Sequence, residues 1–307
     1  MSNKKLFDGI WYETKIILEE AIKRGISVKK LTPYFFILKK ADNIQLMHRI
    51  DNNFMGKATL KAIGNKSITK YFLSKAGISY PKGKSFNLDE SDEIKDYAKT
   101  LNFPIVLKPN WGGRGKQVYP DIKNLKELEE KLIFFDRKIP EKEVLIEEHF
   151  KGEDYRIFAT IKGFCAVLKR VPANIIGDGK KTIKCNKKII EFLKEQGRDL
   201  DYVPKKSEYV TLSRVANIAA SGDSIDYTDM INPSVKELAF KILKSIPGLN
   251  YAGIDILSKD ITKKQKPGSY VIVEINNEPS VDMHIYPWKG KSRNAAGALI
   301  DLMFPKS

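Results

Sequence analysis

Long apolar runs are missing from this 307-residue sequence. No segment approaches the ~20 apolar residues that a membrane span requires, and the opening MSNKKLFDGIWYETK lacks the apolar stretch of a signal peptide. A cytoplasmic chain with no membrane partner is therefore expected. Cysteine is scarce: Cys165 and Cys185 are the only two, without CxxC spacing and with no histidine near them in sequence. That excludes a disulfide framework and a zinc cluster. Internal repeats, low-complexity tracts and long Pro/Gly/Ser linkers are also lacking, so the parts of the chain should pack together directly.

What is present fits an ordered globular protein. A hydrophobic content of 42 % in 307 residues supports a full core and two domains or subdomains. The formal charge of +16 is spread along the chain, with a modest cluster at Lys180, Lys181, Lys184, Lys187 and Lys188. Such a balance suits a solvated lysine-rich surface first, and also favours anionic ligands, from nucleotides to nucleic acid.

Periodicity outlines the elements. Ile16, Ile17, Leu18, Ala21 and Ile22 recur at helical spacing over Glu13 to Arg24, with Gly25 where a helix stops. ISVKKLT reads as a strand, FFILKKADNIQLMHRI as a hairpin, and NKSITKYFLSKAGI as a short helix capped by Asn65 or Ser67. A helix ESDEIKDYAKTL, a strand PIVLKP, a glycine loop, a helix LKELEEKL and a strand VLIEEHF follow in an α/β alternation. Past Gly152 strands dominate (DYRIFATI, FCAVLKRVPANI, YVTLS, GIDIL and YVIVEI), interrupted by helices at Ile183 to Gln196 and Pro233 to Ile246. The class is α+β.

Three features carry chemistry. KPNWGGRGK, residues 108 to 116, follows an apolar strand; its glycines let backbone N–H groups face a phosphate, and its cations supply charge. The spacing is neither the P-loop nor the dinucleotide fingerprint, and an ordinary glycine-rich turn fits the same residues. Lys108 ends a Val/Ile/Leu strand, where it either meets an anion or snorkels to water. Glu274 and Asn276 share a face of the strand VIVEIN, and Asp255 sits between isoleucines in GIDIL. If those strands are neighbours, three hard oxygen donors converge as Mg²⁺ prefers; the other reading is a pair of solvated edge residues. The loop RVPANIIGDGKKTI assigns itself no purpose.

The segments EEHFKGEDYRIF, KRVPANIIGDGKKTI, NIAASGDSIDYTD and VIVEINNEPSVDMHIYPWKGKSRNAAGALIDLMFP resemble an ATP-grasp ligase in order and spacing. They are most similar to the ATP-grasp half of bifunctional glutathione synthetases and somewhat less to the ATP-grasp region of cyanophycin synthetases. The resemblance runs from about residue 13 to the C-terminus and does not include the glutamate–cysteine ligase half. It implies two α+β lobes clasping ATP behind a small α/β N-terminal subdomain. The expected boundaries are 1–63, 64–150 for the small lobe with its glycine-rich flap, and 151–307 for the large lobe.

Residue by residue, the resemblance implies that Lys66 and Lys108 contact ATP phosphates under a flap containing Gly112, Gly113 and Gly115. Glu147 and Glu148 mark the hinge that reads adenine through backbone groups, and Asp154 holds the ribose. Asp255, Glu274 and Asn276 look like Mg²⁺ ligands. Arg156, Arg170 and Arg214 are candidates to neutralise the substrate carboxylate and the departing phosphate, with Lys169 a weaker fourth. The sequence departs from the family at Gln117, where a flap glycine is usual, at Ser213, where the family arginine falls one place before Arg214, and at Ala219, Ala220 and Ser221.

These departures surround substrate more than nucleotide. The implied activity is thus ATP-dependent carboxylate–amine ligation of an amino acid or short peptide through an acylphosphate, with glutathione one option for the product and another amino-acid or peptide ligation the other. The alternatives are modification of a macromolecular acceptor such as a protein tail, or a basic nucleic-acid-associated protein. Nucleic acid is disfavoured because no RNP-like or zinc-finger pattern occurs. The segment SRNAAGALIDLMF suits the core or a subunit contact, which leaves a homodimer open.

Overall fold

The computed structural model describes residues 6–111, 117–138, 142–182, 201–212 and 222–305. The expected helix at 183–196 lies outside them. The chain opens with helix α1 (Tyr12–Lys23), which buries Ile16, Ile17, Leu18 and Ala21, and Gly25 at φ 72° ends it as expected. A four-stranded antiparallel meander follows: β1 (Ser27–Lys30), β2 (Phe35–Lys40), β3 (Asn43–His48) and β4 (Asp51–Asn52). The hairpin read in the sequence is β2–β3, turning at Ala41 in the left-handed region.

Two short helices come next, α2 (Lys57–Gly64), which sequence periodicity does not announce, and α3 (Lys66–Lys75). Asn65 caps α3 by accepting the Ile68 N–H at 3.0 Å. The buried face of α3 is Lys66, Thr69, Lys70 and Leu73, an i, i+3, i+4, i+7 stripe that is polar at three of its four positions.

The middle of the chain forms β5 (Gly83–Asn87), α4 (Ser91–Thr100), β6 (Ile105–Pro109), β7 (Tyr119–Ile122), α5 (Leu125–Lys138) and β8 (Glu143–Glu148). Their sheet has the order β5-β8-β6-β7, and every pairing is antiparallel, so the α/β alternation does not produce a parallel sheet here. Its core contains Phe86, Ile94, Leu107, Leu128, Phe135, Val144 and Ile146.

The last part supplies a five-stranded antiparallel sheet, order β13-β10-β9-β14-β15, from β9 (Glu153–Thr160), β10 (Cys165–Val171), β13 (Asp223–Asp226), β14 (Tyr251–Ser258) and β15 (Tyr270–Asn276). The run FCAVLKRVPANI is not one strand: Pro172, which has no N–H, separates β10 from β11 (Asn174–Ile176), which pairs instead with β12 (Tyr209–Thr211). Helices α6 (Pro233–Ser245), α7 (Val281–Ile285) and α8 (Ala295–Met303) complete the described elements.

The first core unites α1, β2, β3 and Ile63, Leu73 and Ile78 with β9, β14, β15, α6 and α8. The chain leaves this core after Ile78, enters the second by Phe86, and returns between Ile146 and Tyr155. Among the described residues no helix is long and apolar enough to cross a membrane.

Candidate active site

The site lies where the two cores meet. On the smaller sheet, Val106 pairs with Glu147 and Lys108 with Leu145, so Lys108 and Glu147 share a face. Both side chains are almost wholly buried, and the Lys108 ammonium contacts Glu147 Oε1. Helix α3 reaches the same place: Lys70 Nζ lies 2.7 Å from Glu147 Oε2, and Lys66, one turn earlier, is also buried. Asn110, just past β6, ties the start of α3 down. Its Oδ1 accepts from the Ser67 N–H and hydroxyl at 3.2 and 3.0 Å, and its carbonyl accepts the Lys66 N–H at 3.2 Å.

The larger sheet contributes the opposite wall. Antiparallel register sets Asp255 directly across from Arg156 on one side and from Glu274 on the other, with Asn276 paired to Gly253. All therefore lie on one face. Arg156 Nε is 2.7 Å from Asp255 Oδ1, and Arg170 Nη2 is 3.2 Å from Oδ2. Arg170 also donates from Nε and Nη2 to Asp154 Oδ1 at 2.9 and 2.7 Å. A Cβ at Gly253 would come within 2.5 Å of Arg156 Nη1 and 2.8 Å of the Pro279 Cα, so the missing side chain makes room for the guanidinium. Arg156 Nε and Nη1 and Asp255 Oδ1 are buried and have no hydrogen-bond partner.

Lys66 and Glu274 line one small cavity between α3 and β15, joining the two walls. Burial draws the Lys66 ammonium below the usual lysine range, partly offset by Glu274. Burial and Asp255 push the Glu274 carboxyl up against the pull of Lys66 and Arg156. Asp154 is raised to about 6 by burial and Asp255, with Arg170 opposing. Burial opposes charge on Arg170 too, but Asp255 and Asp154 raise it above the ordinary guanidinium range.

Thus Lys66, Lys108, Glu147, Arg156, Arg170, Asp154, Asp255, Glu274 and Asn276 gather around this junction. Glu148 ends β8, with its N–H donated to the Lys82 carbonyl at 2.8 Å. Lys169 stands apart in an ion pair with the exposed Glu153. Gly112, Gly113, Gly115 and Arg214, together with Ser213, Ala219, Ala220 and Ser221, lie outside the described residues.

Sequence reasoning missed two groups. Lys70 repeats Lys66 one helical turn later, a spacing visible in NKSITK. Glu13, in the first turn of α1, accepts the Val281 N–H at 2.5 Å and is raised to about 7 by burial, with Asp282 and Glu278 adding to the rise and Arg156 opposing it. No sequence signal connects Glu13 with residues some 270 positions away.

Among the described residues no group of three or more His, Cys, Asp and Glu forms a ready cation site. The donor set is two facing carboxylates and an amide two positions along β15, with both Asp255 oxygens drawn toward the guanidinium groups of Arg156 and Arg170. Two or three hard oxygens, with the remaining positions left to water and phosphate, fit Mg²⁺.

No family model matches the chain. It is 34 % identical over 280 residues to the cyanophycin synthetase of Crocosphaera subtropica, covering 83 % of this chain and 32 % of that protein. It is 30 % identical over 335 residues to the glutathione biosynthesis bifunctional protein of Clostridium perfringens, covering 98 % and 42 %. The crystal structure of a bifunctional glutathione synthetase from Pasteurella multocida matches with a TM-score of 0.70 and 28 % identity, over 97 % of this chain and 45 % of that one. D-alanine–D-alanine ligase from Bacillus anthracis, at TM-score 0.50 and 16 % identity over 81 % of this chain and 70 % of that one, shares the fold alone. The chain therefore spans less than half the length of the synthetases it matches.

Proposed function

Because the chain belongs to the ATP-grasp superfamily of ligases, we propose that it joins a carboxylate to an amine at the expense of ATP. The observation that carries this reading is the meeting of Lys66 and Lys108, from the α3 and β6 walls, with the facing carboxylates Asp255 and Glu274. Buried lysines opposite buried carboxylates make sense when a polyanion and its counter-cation lie between them.

In this reading, Lys66 and Lys108 hold the phosphates, and the chain just after β8 flanks adenine beside Glu147 and Glu148, with Asp154 toward the ribose. Asp255, Glu274 and Asn276 would hold Mg²⁺, which supplies positive charge among the phosphate oxygens. Arg156, whose Nε is paired with Asp255 and whose buried Nη1 has no hydrogen-bond partner, is the guanidinium proposed to face an oxygen anion of the substrate, while Arg170 fixes Asp255 and Asp154.

A substrate carboxylate oxygen attacks the γ-phosphorus and the bond to the β-phosphate oxygen breaks, giving ADP and an acylphosphate. The amine then attacks the acyl carbon, phosphate leaves with the C–O bonding pair, and the amine loses a proton. The protein's part is positioning and charge neutralisation. Amino acids or short peptides are the proposed substrates, with glutathione one option for the product.

The test is phosphate release from Mg·ATP with pooled amino acids and dipeptides, singly and together, with mass spectrometry of the products. Release that needs two pools, and a product lighter than the pair by one water, supports the reading. ATP binding with no stimulation by any pool rejects common amino acids and dipeptides as the substrates and moves the acceptor to a macromolecule or an unusual metabolite.

A further inference from the structure

Lys70 has no part in the scheme above, yet its surroundings are specific. Its side chain is 11 % exposed, its ammonium lies 2.7 Å from Glu147 Oε2, and the Tyr80 ring centroid is 5.9 Å from Nζ. Glu147 is thereby shared, one oxygen to Lys70 and the other to Lys108. The two lysines belong to different bodies: Lys70 sits on α3, whose Leu73 packs in the larger core, and Lys108 sits on β6, whose Leu107 packs in the smaller one. Three buried charges in such a place are costly unless the net charge is used.

We propose that Lys70 is a positioning residue for the nucleotide: by taking one oxygen of Glu147 it leaves the Lys70–Glu147–Lys108 group with one net positive charge, which Lys108 presents to phosphate. The inference rests on reading Lys108 as a phosphate ligand. Without Lys70, the carboxylate would face Lys108 alone and cancel it, and an incoming phosphate would have to displace a buried carboxylate from its partner. Low polarizability around the group makes that competition severe. Electrostatics agree with the sharing. Burial favours the neutral acid of Glu147, but Lys108 and Lys70 hold its carboxyl below the ordinary range, so it stays ionised. Burial holds Lys70 below the usual lysine range; the attraction of Glu147 opposes this and the nearby Lys108 adds to it.

The test is calorimetric binding of ADP with Mg²⁺ to the full chain and to Lys108→Met, Lys70→Met, Lys70→Arg, Glu147→Gln and the pair Lys70→Met/Glu147→Gln. Charge balance predicts about tenfold weaker binding for Lys70→Met, corresponding to ~1.4 kcal/mol. Lys70→Arg should stay within about threefold of wild type, and Glu147→Gln should bind at least as tightly as wild type. The double variant should recover to within about threefold of wild type, although it has lost more buried contacts than the single. A purely structural lysine predicts the reverse, with the double variant weakest. Wild-type affinity in Lys70→Met, or no recovery in the double variant, overturns the inference. Unchanged affinity in Lys108→Met instead overturns the phosphate reading itself, which separates the two failures. Should Lys70→Met not fold, weaker binding by Glu147→Gln is enough to overturn the charge balance.

Discussion

Arg156 and Asp255 are directly paired across β9 and β14, with Nε 2.7 Å from Oδ1, and neither atom has a hydrogen-bond partner. They form a buried ion pair that does not meet hydrogen-bond geometry. On the other side of Asp255, Glu274 completes a row in which a cation, an anion and a second anion occupy three adjacent strands.

Replacing Glu274 by Gln tests the second anion. The change removes a ligand charge at nearly constant volume, and ATP-dependent phosphate release should fall at least about 100-fold. Stability should hold or rise, because a carboxyl pushed up by burial and Asp255 is replaced by a neutral amide. Steady-state turnover and urea denaturation check the two halves; wild-type turnover would remove Glu274 from the metal set.

Gly253→Ala tests the seat of Arg156. The added Cβ meets the guanidinium and the Pro279 backbone, and overpacking of this kind costs about 1–3 kcal/mol. If Arg156 receives the substrate carboxylate, the amino-acid-stimulated rate should fall by about tenfold or more while ADP affinity stays within about twofold. Equal losses in both measurements would show a general disturbance of the fold.

Glu13 sets a pH dependence. Its folded pKa of about 7 is above the ordinary 4.5, so the native state binds more protons than the unfolded chain across that window. Stability from this group is present below the unfolded value and falls as pH rises through about 7, by at most ~3 kcal/mol. Glu13→Gln, which keeps an oxygen for the Val281 N–H, should flatten this decline and raise the melting temperature at pH 8. An unaltered slope between pH 5 and 8 would contradict the assignment.

His284 acts in the opposite direction. It is fully buried, both ring nitrogens lack partners, and burial with Arg156 lowers it to about 3. Its folded value is below the ordinary 6.5, so stability is lost as pH falls from 6.5 toward 3. His284→Phe, beside the Phe158 ring 5.9 Å away, should reduce acid sensitivity and leave no unpaired N–H. Denaturant midpoints at pH 4.5 and 7.5 measure it; an equal or larger acid loss in the variant would refute the effect.

Part of this site was legible because alternation fixes strand faces: Glu274 and Asn276 share one face, while the isoleucines beside Asp255 mark a strand buried on the opposite face and only suggest an interior Asp255. Asn65 as cap and Gly25 as stop were likewise local signals. Strand order was not local. Nothing in YAGIDIL says that β14 runs between β9 and β15, so the apposition of Asp255 with Arg156 emerged only with the fold. Lys70 was hidden differently, since its helix buries a polar stripe that hydrophobic periodicity scores as exposed. Helix α2 is short and the Pro172 break local, yet the continuing apolar residues on either side masked that break.

The passage of the chain from one core to the other and back makes residues 86–146 an insertion whose two ends are both anchored in the same host. Melting of the insert leaves the host core with its own strands, helices and apolar contacts intact. Heat or urea should therefore remove the insert and the host in separate steps. Lys66 is on a helix packed in the host core and Lys108 on a strand of the insert, so a bound nucleotide that touches both should draw the two steps together, and the narrowing of that interval would report its affinity without any measurement of turnover.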